Sequence, residues 1–157
     1  MFIFRCRRCH GEVTRPVREV PLPDIDEAPA PYEMRGDKEC PPRMTPGTFA
    51  YEPPAESLAH VRPPSEWEPV TISPRHGLTG IVLAEADVRD VETTAKRSRT
   101  NGCCGLDGMD GPNLECRWCR AFVATKQSDC WTPQQVALVP AAVEIMLPPA
   151  PDTAEGA

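Results

Sequence analysis

The chain predicts a small α+β domain that is mostly β, with one helix and a long irregular segment. Three observations lead there. Fourteen of the 20 prolines fall between positions 16 and 75, and each proline removes a backbone donor and resists helix interiors. Short runs of β-branched and aromatic residues recur between turn residues, as strands do. Only one stretch, 85–97, carries a helical stripe, with Val88, Val91 and Ala95 at i, i+3 and i+7.

Taken in order, Phe2 to Arg5 is a short extended run and Cys6-Arg7-Arg8-Cys9 a turn. Val13 to Val20 reads as a strand that Pro16 confines to an edge. The proline-rich 16–75 segment is expected to be irregular, with polyproline stretches and short strands laid on a core. Its best strand is Gly47 to Tyr51, because Phe49 and Tyr51 share a face; Val70-Thr71-Ile72 is another. Gly80 to Leu83 reads as a buried strand. The helix over 85–97 has Glu85 and Asp87 in its first turn and Lys96, Arg97 and Arg99 at or beyond its last, which suits the macrodipole. Asn101-Gly102 supplies its stop. Ala121 to Thr125 looks extended, and Thr132-Pro133 opens a single helical turn. Val143, Ile145 and Leu147 alternate as a last strand, and 148–157 is a polar tail expected to be disordered. The single domain then spans 1–147, with 16–75 as its proline-rich insert.

Net charge of −6 and a pI of about 5.1 argue against a general nucleic-acid coat. The longest apolar runs, at 81–84 and 136–139, fall far short of the roughly 20 residues that cross a bilayer. In the opening MFIFRCRRCHGEV the charges follow a four-residue apolar piece instead of preceding it, unlike a secretory signal. The expected compartment is therefore cytoplasmic, where thiols stay reduced. Eight cysteines then point to coordination or catalysis before disulfides.

One internal repeat stands out. FRCRRCHGEVT at 4–14 aligns with LECRWCRAFVA at 114–124, matching both cysteines, Arg7 with Arg117 and Val13 with Val123. A C-x-x-C in a tight turn aims two sulfurs at one place, and zinc takes four such donors in a tetrahedron. Two C-x-x-C turns make one complete site. The two segments resemble the knuckles of zinc-ribbon and rubredoxin-like proteins, which grip one ion with approximate two-fold symmetry. That resemblance implies a zinc cofactor held by Cys6, Cys9, Cys116 and Cys119. Such knuckles usually carry Gly directly after the second Cys; here that place holds His10 and Arg120. The wider 102–131 block resembles a pattern of uncharacterised small bacterial proteins, which implies no activity.

Spacing leaves other pairings open. Cys103 or Cys104 can join Cys116, Cys119 and Cys130 through short loops, and two ions are a third arrangement. Adjacent cysteines on an extended chain face opposite sides, so one of Cys103 and Cys104 is expected to stay outside any given site. Cys40 is expected to be a small buried hydrophobe, or else exposed beside Pro41-Pro42. Asp107 to Asn113 lacks the EF-hand donor order, since Met109 stands at the third place, and reads as a turn that delivers Cys116.

Catalytic patterns are weak. His10-Gly11-Glu12 with Cys116-x-x-Cys119 echoes the zinc deaminases, but Glu115 replaces the proline before Cys116 and more than 100 residues separate the halves. Extended sequence after each C-x-x-C departs from the helix N-terminus of thioredoxin-like sites. His60 and His76 are lone histidines in proline-rich loops, and Trp67 and Trp131 are expected to pack. Arg7, Arg8, Arg117 and Arg120 would surround the metal, either neutralising a dianionic zinc–thiolate centre or binding phosphate. Trp118 would stack on a partner protein or on a base. The expected protein is a zinc-stapled domain that recognises a protein partner through Trp118, Arg7 and Arg8. A nucleic-acid-binding zinc ribbon is the alternative, and a metal- or thiol-dependent enzyme a third.

Overall fold

The computed structural model describes residues 1–36, 38–52, 72–73, 77–78 and 80–147. The strands are β1 (Ile3–Cys6), β2 (Arg18–Glu19), β3 (Thr48–Glu52), β4 (Ile72–Ser73), β5 (Gly77–Leu78), β6 (Gly80–Leu83), β7 (Val91–Thr93), β8 (Leu114–Cys116), β9 (Phe122–Gln127), β10 (Gln135–Leu138) and β11 (Val143–Met146). Seven form one mixed sheet in the order β2-β3-β6-β10-β9-β8-β7, parallel only at β2–β3. β1 and β11 pair separately and antiparallel, as do β4 and β5.

The central strands explain themselves by period two. Phe49, Leu83 and Val136 stand in one cross-strand row, and Ala50, Val82 and Ala137 in the next row on the opposite face. The first face joins Phe4, Val13, Val17, Leu138 and Val123 in the main core. The second, built of smaller side chains, packs against Met44 and Val139, with Val20 and Leu22 at its rim. β6 and β10 are therefore buried on both faces and read as continuous apolar runs. Phe49 compensates for the shortage of aromatics. Phe2, Phe4 and Tyr51 all meet its ring edge-to-face, at 6.0, 5.1 and 5.5 Å.

The helix expected over 85–97 is absent, so the fold is not α+β. Among the described residues there is no α-helix, and five isolated 3-10 turns are the only helical elements. Glu85–Asp87 is one such turn, Val91–Thr93 is strand β7, and Arg97–Arg99 is another turn. The reason is partly local and partly across the sheet. Asp90 takes φ of 52°, which no right-handed helix accommodates, and Val88, Val91, Thr93 and Thr94 are β-branched. A stripe of three apolar residues in thirteen positions cannot outweigh the pairing of Val91 with Cys116 across the sheet.

Elsewhere, β3, β6, β9 and β11 lie where strands were expected. The 13–20 run gives only bridges and the two-residue edge strand β2. Thr132 closes a turn from Asp129, its N–H donating to Asp129 O, and no helix follows at Pro133. The proline-rich segment contributes β3 to the heart of the sheet. It also contributes Arg43, whose buried guanidinium binds Glu52 at 2.7 Å, Gln135 at 3.2 Å and the carbonyl of Pro23 at 2.8 Å. Of the strand expected at 70–72, only Ile72 is described, in β4. His60, Trp67, His76 and the 148–157 tail lie outside the described residues. No helix of the described residues is long and apolar enough to cross a membrane.

Candidate metal centre

Each C-x-x-C closes a knuckle with the same hydrogen bonds. Cys6 N donates to Gly11 O at 2.7 Å and Cys116 N to Ala121 O at 2.8 Å; His10 N donates to Cys6 O at 2.8 Å and Arg120 N to Cys116 O at 2.9 Å. The backbone N–H groups of Arg8 and Cys9 point at the Cys6 sulfur, and those of Trp118 and Cys119 at the Cys116 sulfur. The turn requires a left-handed residue after the second Cys. His10 and Arg120 supply it at φ of 64° and 65°, where glycine is the usual choice.

The likeness extends beyond the aligned segments. Each knuckle leans on a Val-Glu strand. Cys6 faces Val143 of β11 and Cys116 faces Val91 of β7. Arg7 N donates to Ala142 O and Arg117 N to Asp90 O, both at 2.9 Å. Glu144 then holds the His10 ring at 2.8 Å, and Glu92 holds Arg120 at 2.6 Å. Two remote segments thus reach the same place because each is carried by an equivalent strand pair.

The result is a group of four sulfurs. Cys6 Sγ lies 3.5 Å from Cys119 Sγ, Cys9 Sγ lies 3.5 Å from Cys116 Sγ, and all four fall within 4.8 Å of one another. A tetrahedron with metal–sulfur bonds of about 2.3 Å has edges of about 3.8 Å, so the donors stand where one ion can be shared. Cys6 and Cys116 are buried, and Cys9 and Cys119 half-buried. Burial pushes the Cys6 thiol up to about 12 and raises Cys116 as well. Burial opposes ionisation of Cys119 too, but the Ala121 N–H and the thiols of Cys6, Cys9 and Cys116 outweigh it and hold that group below its ordinary value.

Half of the expected arginine collar is occupied. Arg120 pairs with Glu92 and, at 3.2 Å, with Glu115; Arg117 reaches Asp90 at 3.8 Å. Arg7 donates to Val143 O, and neither Arg7 nor Arg8 forms an ion pair among the described residues. Trp118 is 62% exposed, with Arg117 over its ring at 5.2 Å. Its seat is Gly11: a Cβ there would stand 2.8 Å from Trp118 Cδ1. Gly11 serves the knuckle by clearance, and its neighbour His10 takes the special dihedral.

The remaining cysteines divide. Cys103, Cys104 and Cys130 form a second group with Asp129, and no group among the described residues joins them to Cys116 or Cys119. The mixed local pairing is not what the fold assembles. The 103–105 bend also turns both adjacent thiols to one side, against the expectation for an extended chain; their sulfurs are 3.4 Å apart. Asp129 went unread in the sequence, its signal being only adjacency to Cys130. Trp131, expected to pack, is 51% exposed. Cys40 is half-buried and donates to Pro29 O at 3.3 Å, its thiol raised by burial and then by Glu33. Asp107 accepts from Met109 N in an Asx turn, and buried Asn113 pairs with Lys126 on both sides of its amide, anchoring the strand that carries Cys116.

Fold and site define a mostly β protein with two thiol clusters, each able to hold a metal ion. No family model, curated protein or solved structure matches the chain.

Proposed function

We propose that Cys6, Cys9, Cys116 and Cys119 hold one zinc ion in a closed four-thiolate site, and that this staple supports a protein-interaction module. The observation that carries the first half is the convergence of four sulfurs from segments 110 residues apart, through two knuckles of matching geometry. Four thiolates fill the zinc coordination shell and leave no position for an activated water, so the role of the ion is structural. Its contribution matters because the core is small and the chain carries few aromatics.

Recognition is assigned to the tip of the second knuckle. Trp118 is a large aromatic held in the open by Arg117 above and Gly11 below, the kind of pre-ordered anchor that dominates protein interfaces. Pairing of Arg117 and Arg120 with acidic side chains reduces the phosphate-seeking charge around it, which favours a protein partner over nucleic acid. The chain works in a reducing compartment, where the thiols remain available as ligands.

Elemental analysis of the purified chain tests the staple: Cys6→Ser is expected to lose one equivalent of zinc that Trp118→Ala retains. Co-purification tests the interface. A partner captured by the native chain and lost with Trp118→Ala supports it. Salt-dependent binding of DNA or RNA that disappears in an Arg7→Ala, Arg8→Ala double variant would assign the surface to nucleic acid instead.

A further inference from the structure

Three thiols converge at a second place, and packing does not account for it. Cys103 and Cys104 are exposed and Cys130 is half-buried, so little apolar surface is removed from water by bringing them together. Yet Cys103 Sγ stands 3.0 Å from Cys130 Sγ and 3.4 Å from Cys104 Sγ.

The backbone is built to hold them there. Asp129 is fully buried and accepts from all three cysteine N–H groups: Cys104 N and Cys130 N at 2.8 Å on Oδ1, and Cys103 N at 3.2 Å on Oδ2. One carboxylate therefore fixes the orientation of all three residues. Two glycines let the loop close on it. A Cβ at Gly105 would lie 2.4 Å from Ser128 O, and one at Gly102 would lie 1.8 Å from Gly105 O. Ser128 N and Asp129 N both donate to Leu106 O, locking the 102–106 loop against the 128–130 turn.

We propose that Cys103, Cys104 and Cys130 form a second and chemically different metal site, an open three-thiolate site for a thiophilic divalent cation of the zinc class, whose fourth position faces solvent and takes an exchangeable ligand. Asp129 is its positioning residue: although its carboxylate stands within the group and the Cys103 thiol lies 3.5 Å from Oδ1, both oxygens already accept backbone N–H groups. The contrast with the knuckle site is one of closure. Four protein sulfurs complete a tetrahedron, whereas three on an exposed rim leave one position for water or an incoming donor. The inference stands on the second cluster alone and does not depend on how the knuckles are filled.

Cobalt(II) titration of the full chain under anaerobic, reducing conditions tests it. The native chain is expected to take up two equivalents. Cys103→Ser is expected to keep one, and since Cys103 is exposed the substitution removes a ligand without removing core. Cys6→Ser failing to lose an equivalent would count against the knuckle site; Cys103→Ser failing to lose one counts against this site. Added cyanide is expected to shift the visible bands of the second equivalent and leave those of the first unchanged. Asp129→Asn is expected to weaken the second equivalent by about 10- to 100-fold with the first unaltered. A native chain that binds a single equivalent, bands indifferent to cyanide, or a Cys103–Cys130 disulfide that persists under these reducing conditions overturns the proposal.

Discussion

His10 and Arg120 share a left-handed backbone conformation, φ 64° and 65°, at matching places in two knuckles 110 residues apart. Each also meets the glutamate of a Val-Glu strand, Glu144 and Glu92. The backbone cost of a non-glycine residue there is about 1–2 kcal/mol, set against an exposed contact of at most about 1 kcal/mol. His10→Gly and Arg120→Gly are expected to leave stability within about 1 kcal/mol of the native value. His10→Val and Arg120→Val lose the contact and add the crowding of a β-branched side chain at positive φ, and both are expected to destabilise by about 1–2 kcal/mol. Urea unfolding of the metal-loaded chain measures all four.

Gly11 provides a separate handle on the interface. Gly11→Ala is expected to displace the Trp118 ring, because the new Cβ would stand 2.8 Å from Cδ1. The ring is largely exposed and its shift opens no core cavity, so the stability cost is expected to stay below about 1 kcal/mol. Fluorescence reports the displacement as a red shift, and the zinc content remains that of the native chain.

Metal uptake is expected to release protons and strengthen with pH. Cys6 is pushed from the ordinary 9.0 to about 12 in the metal-free fold, chiefly by burial, so its proton must leave when a cation binds. The sign for the metal-free fold is opposite. A raised thiol contributes stability that is full below 9.0 and lost as pH climbs through about 12. Competition with a chelator is expected to give tighter binding at pH 8 than at pH 6, while the metal-free chain loses stability above pH 9.

At the other end of the sheet, Arg43 fastens the proline-rich segment to the second face. Its guanidinium and the Glu52 carboxylate are both more than 90% buried. Arg43→Met takes the cation away from a buried carboxylate and is expected to cost about 3–5 kcal/mol. Urea unfolding measures it, and the zinc content per folded chain is expected to be unchanged.

The parts of the fold visible in sequence were those with local, repeated signals. The aligned knuckles named four converging cysteines, and alternation marked β3 and β11. Three things stayed hidden because their causes lie across the sheet. Val91 is drawn from a helical stripe into β7 by pairing with Cys116. The 136–139 stretch read only as an apolar run, yet most of it forms β10, which lies between β6 and β9 and is buried on both faces. Asp129 organises three cysteines through their backbone N–H groups, and two of those are 25 and 26 residues away. The departure from glycine at His10 and Arg120 told nothing by itself, since non-glycine residues do hold that dihedral when a strand partner supports them.

X-ray absorption at the zinc edge on the Cys103→Ser chain addresses the knuckle site most directly, because that variant leaves it as the one intact cluster. The expected spectrum has four sulfur neighbours at about 2.3 Å and no lighter atom in the first shell. A chain that retains no zinc, or a shell containing oxygen or nitrogen in place of one or more sulfurs, would contradict the closed four-thiolate staple.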